Sequence, residues 1–464
     1  QVHLVPKPNS DKWRFCVDYR RLNDCCEKSG WPIPNIKLMF ARIGNMQPQP
    51  RFYGKIDLTS GYHQAPLSAA SSALTAFITI SGVYEWLRVP MGPKGAPSYF
   101  QQMIASVVLL GLLYVICEAY LDDVLVFGDT EDELVKNLRQ IFERFRKHKL
   151  TINPEKCELG MQEVVFVGHL LSAKGITFTR ERIDAVLSIP PPKYEKDMKK
   201  FLGVINYFHD HIRDHSMLAK PLQQMILQYT PSKQVVWSED ALVAFEKLKE
   251  SINQCPTLSF INDTAPIILN TDASDYAIGA YLYQVIDGKE VPVAFMSRAL
   301  DERECGWCTA EKECYAIYYA LVKFEYLLRD THFIIRTDHK NLTYLNDSVN
   351  RKVNNWKLKI QHFNFDIEYI PGEENVVADG FSRIVASMHN KTKDINDTGD
   401  EADNAEYINI IDELKLDDET YTKISTVHNS QAGHHGVERT CEMLARAGQR
   451  WFKMREHVKK FIKQ

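Results

Sequence analysis

No run in this chain is apolar for long enough to span a bilayer; the longest candidate, around Val107–Cys117, is too short. No charged-then-apolar pattern of the signal-peptide kind opens the sequence. The first residue is Gln1 rather than Met and strand-like sequence follows at once, so the expectation is an internal piece of a longer product. The cysteines do not read as a disulfide framework: ten of them scatter without a repeating spacing, and reduced thiols are the better reading. Cys305 and Cys308 make a CxxC, but no second CxxC completes a zinc site. No internal repeat is visible. A large net charge is absent too, at −4 over 464 residues. That figure hides an asymmetry. Residues 394–420 hold eleven acids and one lysine, a net of −10, which leaves +6 on the rest of the chain. A basic body with an acidic spacer permits a phosphate-binding surface without proving one.

What is present is the composition of globular domains, 45% hydrophobic and 25% charged, in a length that suits about three of them. The first 175 residues mix short β-type runs with helical stretches. Val115–Phe127 reads as strand, tight turn, strand. Glu131–His148 carries Leu134, Leu138, Ile141, Phe142 and Phe145 at helical spacing, with a run of basic residues on the solvated side. Pro190–Pro192 is a break, and Met198–His215 reads as helical. A second block opens with strands at Ile267–Thr271, Ala277–Gln284 and Val291–Phe295. A helix over Ala310–Arg329, a strand at Phe333–Thr337, a helix near Val353–His362 and a strand at Phe365–Ile370 follow, the pattern of a mixed sheet covered by helices. Residues 386–420 read as a flexible acidic linker, and 421–464 as a short, basic, helical tail.

Asp122 and Asp123 sit between the apolar runs Val115–Ala119 and Val124–Phe127. Adjacent carboxylates at such a turn are costly to bury without a positive partner, and magnesium, a hard oxygen-seeking ion, supplies one. Two-metal phosphoryl transfer needs a further carboxylate from another segment, and Asp57, at the end of the strand-like Lys55-Ile56-Asp57, offers it. Taken alone, the pair reads more readily as an ordinary solvated hairpin turn than as a metal site. The surroundings decide. The run Val5–Asn23 (VPKPNSDKWRFCVDYRRLN), Lys55–Gln64 (KIDLTSGYHQ), Val89–Gln101 (VPMGPKGAPSYFQ), Tyr120–Asp123 (YLDD) and Phe166–His169 (FVGH) occur in this order. Together they resemble the reverse transcriptase of gypsy-type LTR retrotransposon Pol polyproteins, and the resemblance covers essentially the whole chain.

That resemblance implies an α+β fold: a right-hand polymerase of fingers, palm and thumb, then an RNase H-like mixed sheet with helices, and a short helical tail. It implies Asp57, Asp122 and Asp123 as catalytic ligands of Mg2+. It gives Lys7 and Arg14 the grip on the incoming triphosphate, a task suited to a point charge and a planar fork. Tyr62 matches the steric gate that excludes a 2′-hydroxyl, although the residue types alone also allow a core aromatic. Val167 and Gly168 match the primer grip. Met91 departs from the usual Phe or Gln and carries no hydrogen-bonding role.

Four further carboxylates stand in four segments: Asp272, Glu313, Asp338 and Asp379. Thr271–Ser274, Glu311–Glu313, Arg336–His339 and Val377–Arg383 resemble the retrotransposon RNase H set, which implies a second Mg2+ site on these four residues. Glu311 is also acidic, but the alignment of the apolar helix after it favours Glu313. Tyr369 stands where retroviral relatives carry a histidine, so no histidine is assigned to product release. His209, His211 and His215 lie close in sequence, His211 and His215 at i, i+4, yet no ligand from a third segment is evident. In the tail, His428 and His434 resemble the first half of an integrase zinc-binding domain. Zn2+ belongs only to the intact integrase domain, and the tail alone is expected to be poorly ordered and to bind zinc weakly.

The expected organisation is 1–176 fingers and palm, incomplete at the N-terminal side; 177–263 thumb and connection; 264–385 RNase H; 386–420 linker; and 421–464 partial integrase domain. The implied activity is DNA synthesis on RNA and DNA templates with removal of RNA from the hybrid. The implied partners are RNA template, DNA primer, RNA–DNA hybrid, dNTPs, the remainder of the polyprotein and a Gag particle, with no membrane. The implied setting is a cytoplasmic virus-like particle whose product goes to the nucleus. An intron maturase or telomerase-like polymerase fits less well, because of the second carboxylate set and the integrase-like tail. A non-catalytic nucleic-acid-binding remnant is the rival of another class, and the presence of every expected carboxylate counts against it.

Overall fold

The computed structural model describes residues 2–6, 13–27, 30–227, 234–338, 351–370 and 444. Lys7, Asp379, His428, His434, the 386–420 linker and the tail helices therefore lie outside the described residues. The chain divides into two units, Gln1–Ile384 and Val385–Gln464, and the first holds everything that follows. Among the described residues, no helix is long and apolar enough to cross a membrane.

Strands β1 (Val2–Pro6) and β2 (Trp13–Val17) pair antiparallel, with Val5 opposite Arg14. Helix α1 (Ile36–Gly44) starts where the Asn35 side chain accepts the Lys37 and Leu38 amides. The palm is a four-stranded sheet ordered β6-β7-β3-β8, built from β3 (Phe52–Asp57), β6 (Cys117–Tyr120), β7 (Asp123–Gly128) and β8 (Glu158–Met161). A separate small hairpin pairs β4 (Phe77–Thr79) with β5 (Gly82–Tyr84). Side chains alternate across the palm sheet, as a period of two requires. Ile56, Val124 and Val126 face helix α3 (Glu131–His148) through Leu134, Leu138, Ile141 and Phe145, with helix α2 (Ala96–Met103) adding Phe100. Tyr53, Leu125 and Phe127 face α1 through Met39, Phe40 and Ile43. Each such side chain contributes roughly 1.5–3 kcal/mol of burial.

Helix α3 covers the same residues that the spacing predicts. The Thr130 hydroxyl accepts the Glu133 amide, Glu131–Glu133 occupy the first turn and Arg146–His148 the last, so both ends suit the helix dipole. A three-stranded sheet of β9 (Glu163–Phe166), β10 (His169–Ser172) and β11 (Gly175–Thr177) then leads into α4 (Arg180–Leu187), α5 (Glu195–Asn206), α6 (His215–Leu227) and α7 (Glu239–Asn253). These helices share a core that includes Phe201, Phe208, Phe245 and Leu248.

The helical reading of Met198–His215 needs correction. Helix α5 ends at Asn206, a single 3-10 turn covers His209–His211, and Asp214 takes φ +54° before α6 begins. The chain bends so that Phe208 and Ile212, each 1% exposed, both enter the core. His211 and His215 are therefore not successive turns of one helix. His211 Nδ1 instead lies 3.2 Å from the Pro256 carbonyl oxygen, and burial lowers the His211 pKa to about 4.

The last sheet has the order β14-β13-β12-β15-β16, from β12 (Ile267–Ala273), β13 (Ala277–Ile286), β14 (Lys289–Ala299), β15 (His332–Thr337) and β16 (Asn364–Tyr369). The first three strands run antiparallel, and β12, β15 and β16 run parallel. Helix α8 (Thr309–Lys323) lays Cys314, Ile317, Ala320 and Leu321 on Leu269, Leu282 and Met296, and helix α9 (Arg351–Ile360) supports it. The long helix expected over Ala310–Arg329 stops at Lys323. Phe324, 2% exposed, turns into the core, and only the short helix Glu325–Leu328 follows. The whole is α+β, a polymerase-type palm followed by an RNase H-like mixed sheet.

Candidate active centres

Asp57, Asp122 and Asp123, the three carboxylates expected at the polymerase centre, lie at one end of the palm sheet because two strand registers bring them there. Asp57, the last residue of β3, is paired directly with Asp123, the first residue of β7. Asp122 lies in the β6–β7 turn, where Leu121 takes φ +55°. The Leu58 amide donates to the Asp122 carbonyl at 3.2 Å and ties the end of β3 to that turn. Gly61 faces the turn so closely that a Cβ there would stand 2.8 Å from the Asp122 Cβ, which explains the glycine.

One residue supports this turn although sequence reasoning gave it no role. Gln101, 1% exposed on α2, accepts the Leu121 amide at 2.7 Å and donates to the Ala119 carbonyl at 3.1 Å. Its signal was faint: a polar residue on the inner side of an amphipathic helix, quoted only as the end of a motif.

Burial raises the Asp123 pKa; Lys55 opposes the rise, Asp122 and Asp57 add to it, and Lys156 opposes it. Lys156 Nζ lies 3.6 Å from Asp57 Oδ2. Tyr62 packs edge-on against Phe100 at 5.3 Å, and burial, then Asp122 and Tyr120, raise its hydroxyl pKa. The ring thus stands beside the carboxylates with its face partly open. Arg14 sits exposed on β2, in a separate two-stranded sheet, and Met91 is 40% exposed. Val167 and Gly168 form the β9–β10 turn, with φ +44° and +82°.

Among the described residues, the second carboxylate set draws on three elements. Asp272 lies near the end of β12, and Asp338 directly follows β15, which runs parallel beside it. Glu313 reaches in from the second turn of α8, 3% exposed. Its Oε1 accepts the Ala273 amide at 3.2 Å, while Oε2 is buried with no hydrogen-bond partner. Burial, then the charges of Asp272 and Asp338, push its pKa well above the usual carboxylate range. Glu311 points elsewhere: it accepts the Cys308 amide at the helix start and lies 3.3 Å from Lys352. Tyr369 ends β16, 43% exposed.

Both sets have donor chemistry that suits a divalent cation: hard carboxylate oxygens near enough to raise one another's pKa, and at Glu313 an orphaned buried acceptor. Among the described residues, no group of three or more His, Cys, Asp or Glu stands in coordinating geometry. The fit therefore rests on the donor set, not on a closed cage.

Residues 5–205 match the family model for reverse transcriptase (RNA-dependent DNA polymerase), and residues 262–363 match the RNase H-like domain found in reverse transcriptase. The retrovirus-related Pol polyprotein from transposon opus of Drosophila melanogaster is 36% identical over 407 residues, 85% of this chain and 40% of that protein. The transposon Tf2-3 polyprotein of Schizosaccharomyces pombe is 32% identical over 439 residues, 92% of this chain and 31% of that protein. The chain thus spans well under half the length of these relatives. Solved structures of a foamy viral protease–reverse transcriptase share the fold at 21% identity and cover 80% of this chain. The complex with double-stranded DNA has a TM-score of 0.70 over 64% of its own chain, and the complex with RNA/DNA hybrid 0.66 over 50%. This chain belongs to the reverse transcriptase–RNase H region of LTR-retrotransposon Pol polyproteins.

Proposed function

We propose that the chain synthesises DNA on RNA and DNA templates and cleaves the RNA strand of the resulting hybrid, as part of a gypsy-type element. The observation that carries this reading is the strand register that sets Asp57 against Asp123 with Asp122 one residue away. Asp57, Asp122 and Asp123 would hold Mg2+ in the polymerase centre, and Asp272, Glu313, Asp338 and Asp379 in the RNase H centre. The ions supply charge neutralisation at the attacking and leaving oxygens of phosphoryl transfer. The chain's own residues do the rest. Lys7 and Arg14 grip the triphosphate, the Tyr62 ring fills the space below the sugar, and Val167–Gly168 steady the primer end. Gln101 keeps the Asp122 turn in one shape. The two centres would serve RNA template, DNA primer and dNTPs through phosphate contacts and hybrid shape. Within a complete polyprotein, in a cytoplasmic particle with Gag, His428 and His434 would join a zinc-binding integrase start.

Primer extension with dNTPs on an RNA template, followed by cleavage of the labelled template, tests the proposal directly. Extension by the native sequence and loss with Asp122→Asn are the expected results. No extension by folded protein, alone or within the longer polyprotein, would sink the reading. Replacing Tyr62 by Val is expected to admit ribonucleotides, measured as the ratio of ribo- to deoxynucleotide incorporation.

A further inference from the structure

The β9–β10 turn is unusual for its sequence. Both central residues take positive φ, as two-residue hairpin turns require, yet one of them is the β-branched Val167. Valine rarely adopts this conformation, so the surroundings must enforce it. They do so through the carbonyls. Arg182, on α4, donates from Nη1 to the Gly168 carbonyl and, at 3.0 Å, to the Tyr207 hydroxyl. Tyr207, just past α5, passes its own proton on to the Val167 carbonyl at 3.3 Å. The guanidinium lies 4.8 Å over the Tyr207 ring, so the two side chains brace each other. His169 Nδ1 closes the group, 3.2 Å from the Val167 carbonyl oxygen. A side chain at Gly168 would run into both Tyr207 and Arg182. Arg182 on α4 and Tyr207 just past α5, both in the thumb, thus hold both carbonyls of a turn that belongs to the palm.

We propose that Arg182 and Tyr207 are positioning residues for the primer terminus: they fix the Val167–Gly168 turn and make its shape depend on where the thumb stands. This rests on the polymerase reading of the chain and on the primer-grip role of that turn. The hairpin ladder engages Phe166 and His169, so the two turn residues stand outside it, half-buried rather than covered. A duplex that moves the thumb would, through Arg182, move the surface that holds its own primer end. Neither residue touches the reacting atoms, so their loss should alter how long and how accurately the primer is held, not the chemical step.

The test uses the full chain and a primer–template duplex, with binding read by fluorescence anisotropy so that it does not require turnover. Arg182→Ala is expected to weaken duplex binding about tenfold, as loss of a charge-assisted hydrogen bond at a positioning site would. Extension runs should shorten, with the KM for dNTP unchanged. Tyr207→Phe keeps the ring and loses only the hydroxyl, so it should move the same parameters less. Arg182→Lys should fall between. Binding and run length unchanged in Arg182→Ala would overturn the proposal. So would a uniform fall in kcat, nucleotide affinity and hybrid cleavage together with a lowered Tm, the signature of a simple staple. If the unaltered chain binds duplex but does not extend it, the polymerase reading fails while the binding comparison still judges the clamp.

Discussion

The two carboxylate centres of this chain are built in opposite ways. The polymerase set comes from one hairpin and the strand beside it, so neighbouring registers create it. Lysines stand close by: Lys156 lies 3.6 Å from Asp57, and both Lys55 and Lys156 counter the rise in the Asp123 pKa. The described members of the RNase H set come from two parallel strands and a helix, and its glutamate is 3% exposed with one oxygen unpartnered. The nearest lysine in sequence, Lys312, is turned away to Asp275 at 2.8 Å. In the first centre lysines offset part of the charge before any ion binds; the second holds repulsion that a cation would relieve. The difference predicts that the first is fragile to changes in local geometry and the second to removal of metal.

The largest expected effect separates the centres outright. Asp122→Asn should lower primer extension by about 10²–10³-fold, the scale for losing one preorganised electrostatic group. Hybrid cleavage by the same protein should persist. Glu313→Gln should do the reverse. Loss of both activities from either change would break the claim of two independent centres. Extension and cleavage assayed on the same labelled hybrid would show it.

The two designs were also unequally legible. Palm elements declared themselves locally: α3 matches its periodicity from end to end, and the β6–β7 hairpin follows from two apolar runs around a turn. The meeting of Asp57 with that turn is a register between Asp57 and Asp123, 66 positions apart in sequence, and needed a resemblance to be seen. In the RNase H sheet the strands and the main helices were readable, though not the break at Phe324, and nothing local tells Glu313 from Glu311. The distinction is made by which face of α8 meets β12, with Glu311 occupied by the cap and Lys352. Gln101 and the Arg182–Tyr207 brace went unseen because they act on backbone groups, which no motif spacing encodes. The bend at Phe208 and the break at Phe324 were missed for one reason: tertiary burial of a single aromatic overrode helical periodicity.

Two scaffold changes sharpen the comparison on the polymerase side. Glu118 on β6 is fully buried and held by Arg42 through bonds of 2.7 and 3.0 Å. Arg42→Ala strands that carboxylate, and a cost of about 2 kcal/mol is expected, below the usual range for a buried pair because Arg42 is partly exposed. Burial already raises the Glu118 pKa, against the pull of Arg42. Without the arginine it rises further, so folding favours the protonated form. The variant's deficit should be small below the ordinary carboxyl pKa of about 4.3 and grow as pH rises above it. Urea melts across pH 4–8 would show a flat difference if the idea is wrong. Gln101→Leu leaves the Leu121 amide unsatisfied and should slow extension about tenfold with hybrid cleavage intact, measured on the same substrate.

The smallest effect bears most directly on the stored repulsion. Without divalent metal, Glu313→Gln should raise Tm, because it removes a carboxyl whose ionisation the fold resists and offers amide protons to Asp272 and Asp338. About 1 kcal/mol is a reasonable size, the lower end for relieving one unsatisfied buried group. The sign follows from linkage. Glu313 has a raised pKa in the folded chain, so its contribution is intact below the unfolded value and is lost as pH climbs towards the folded one. The variant and the native sequence should therefore melt alike near pH 4 and diverge towards pH 7. Magnesium should narrow that gap by stabilising the native sequence more than the variant. Asp123→Asn at the polymerase centre should show a weaker version of the same behaviour, since Lys55 and Lys156 already offset part of the charge. A Glu313→Gln protein that melts lower than the native sequence in the chelator at pH 7 would mean that the buried oxygen is satisfied in solution. The contrast between the two centres would then have to rest on geometry alone.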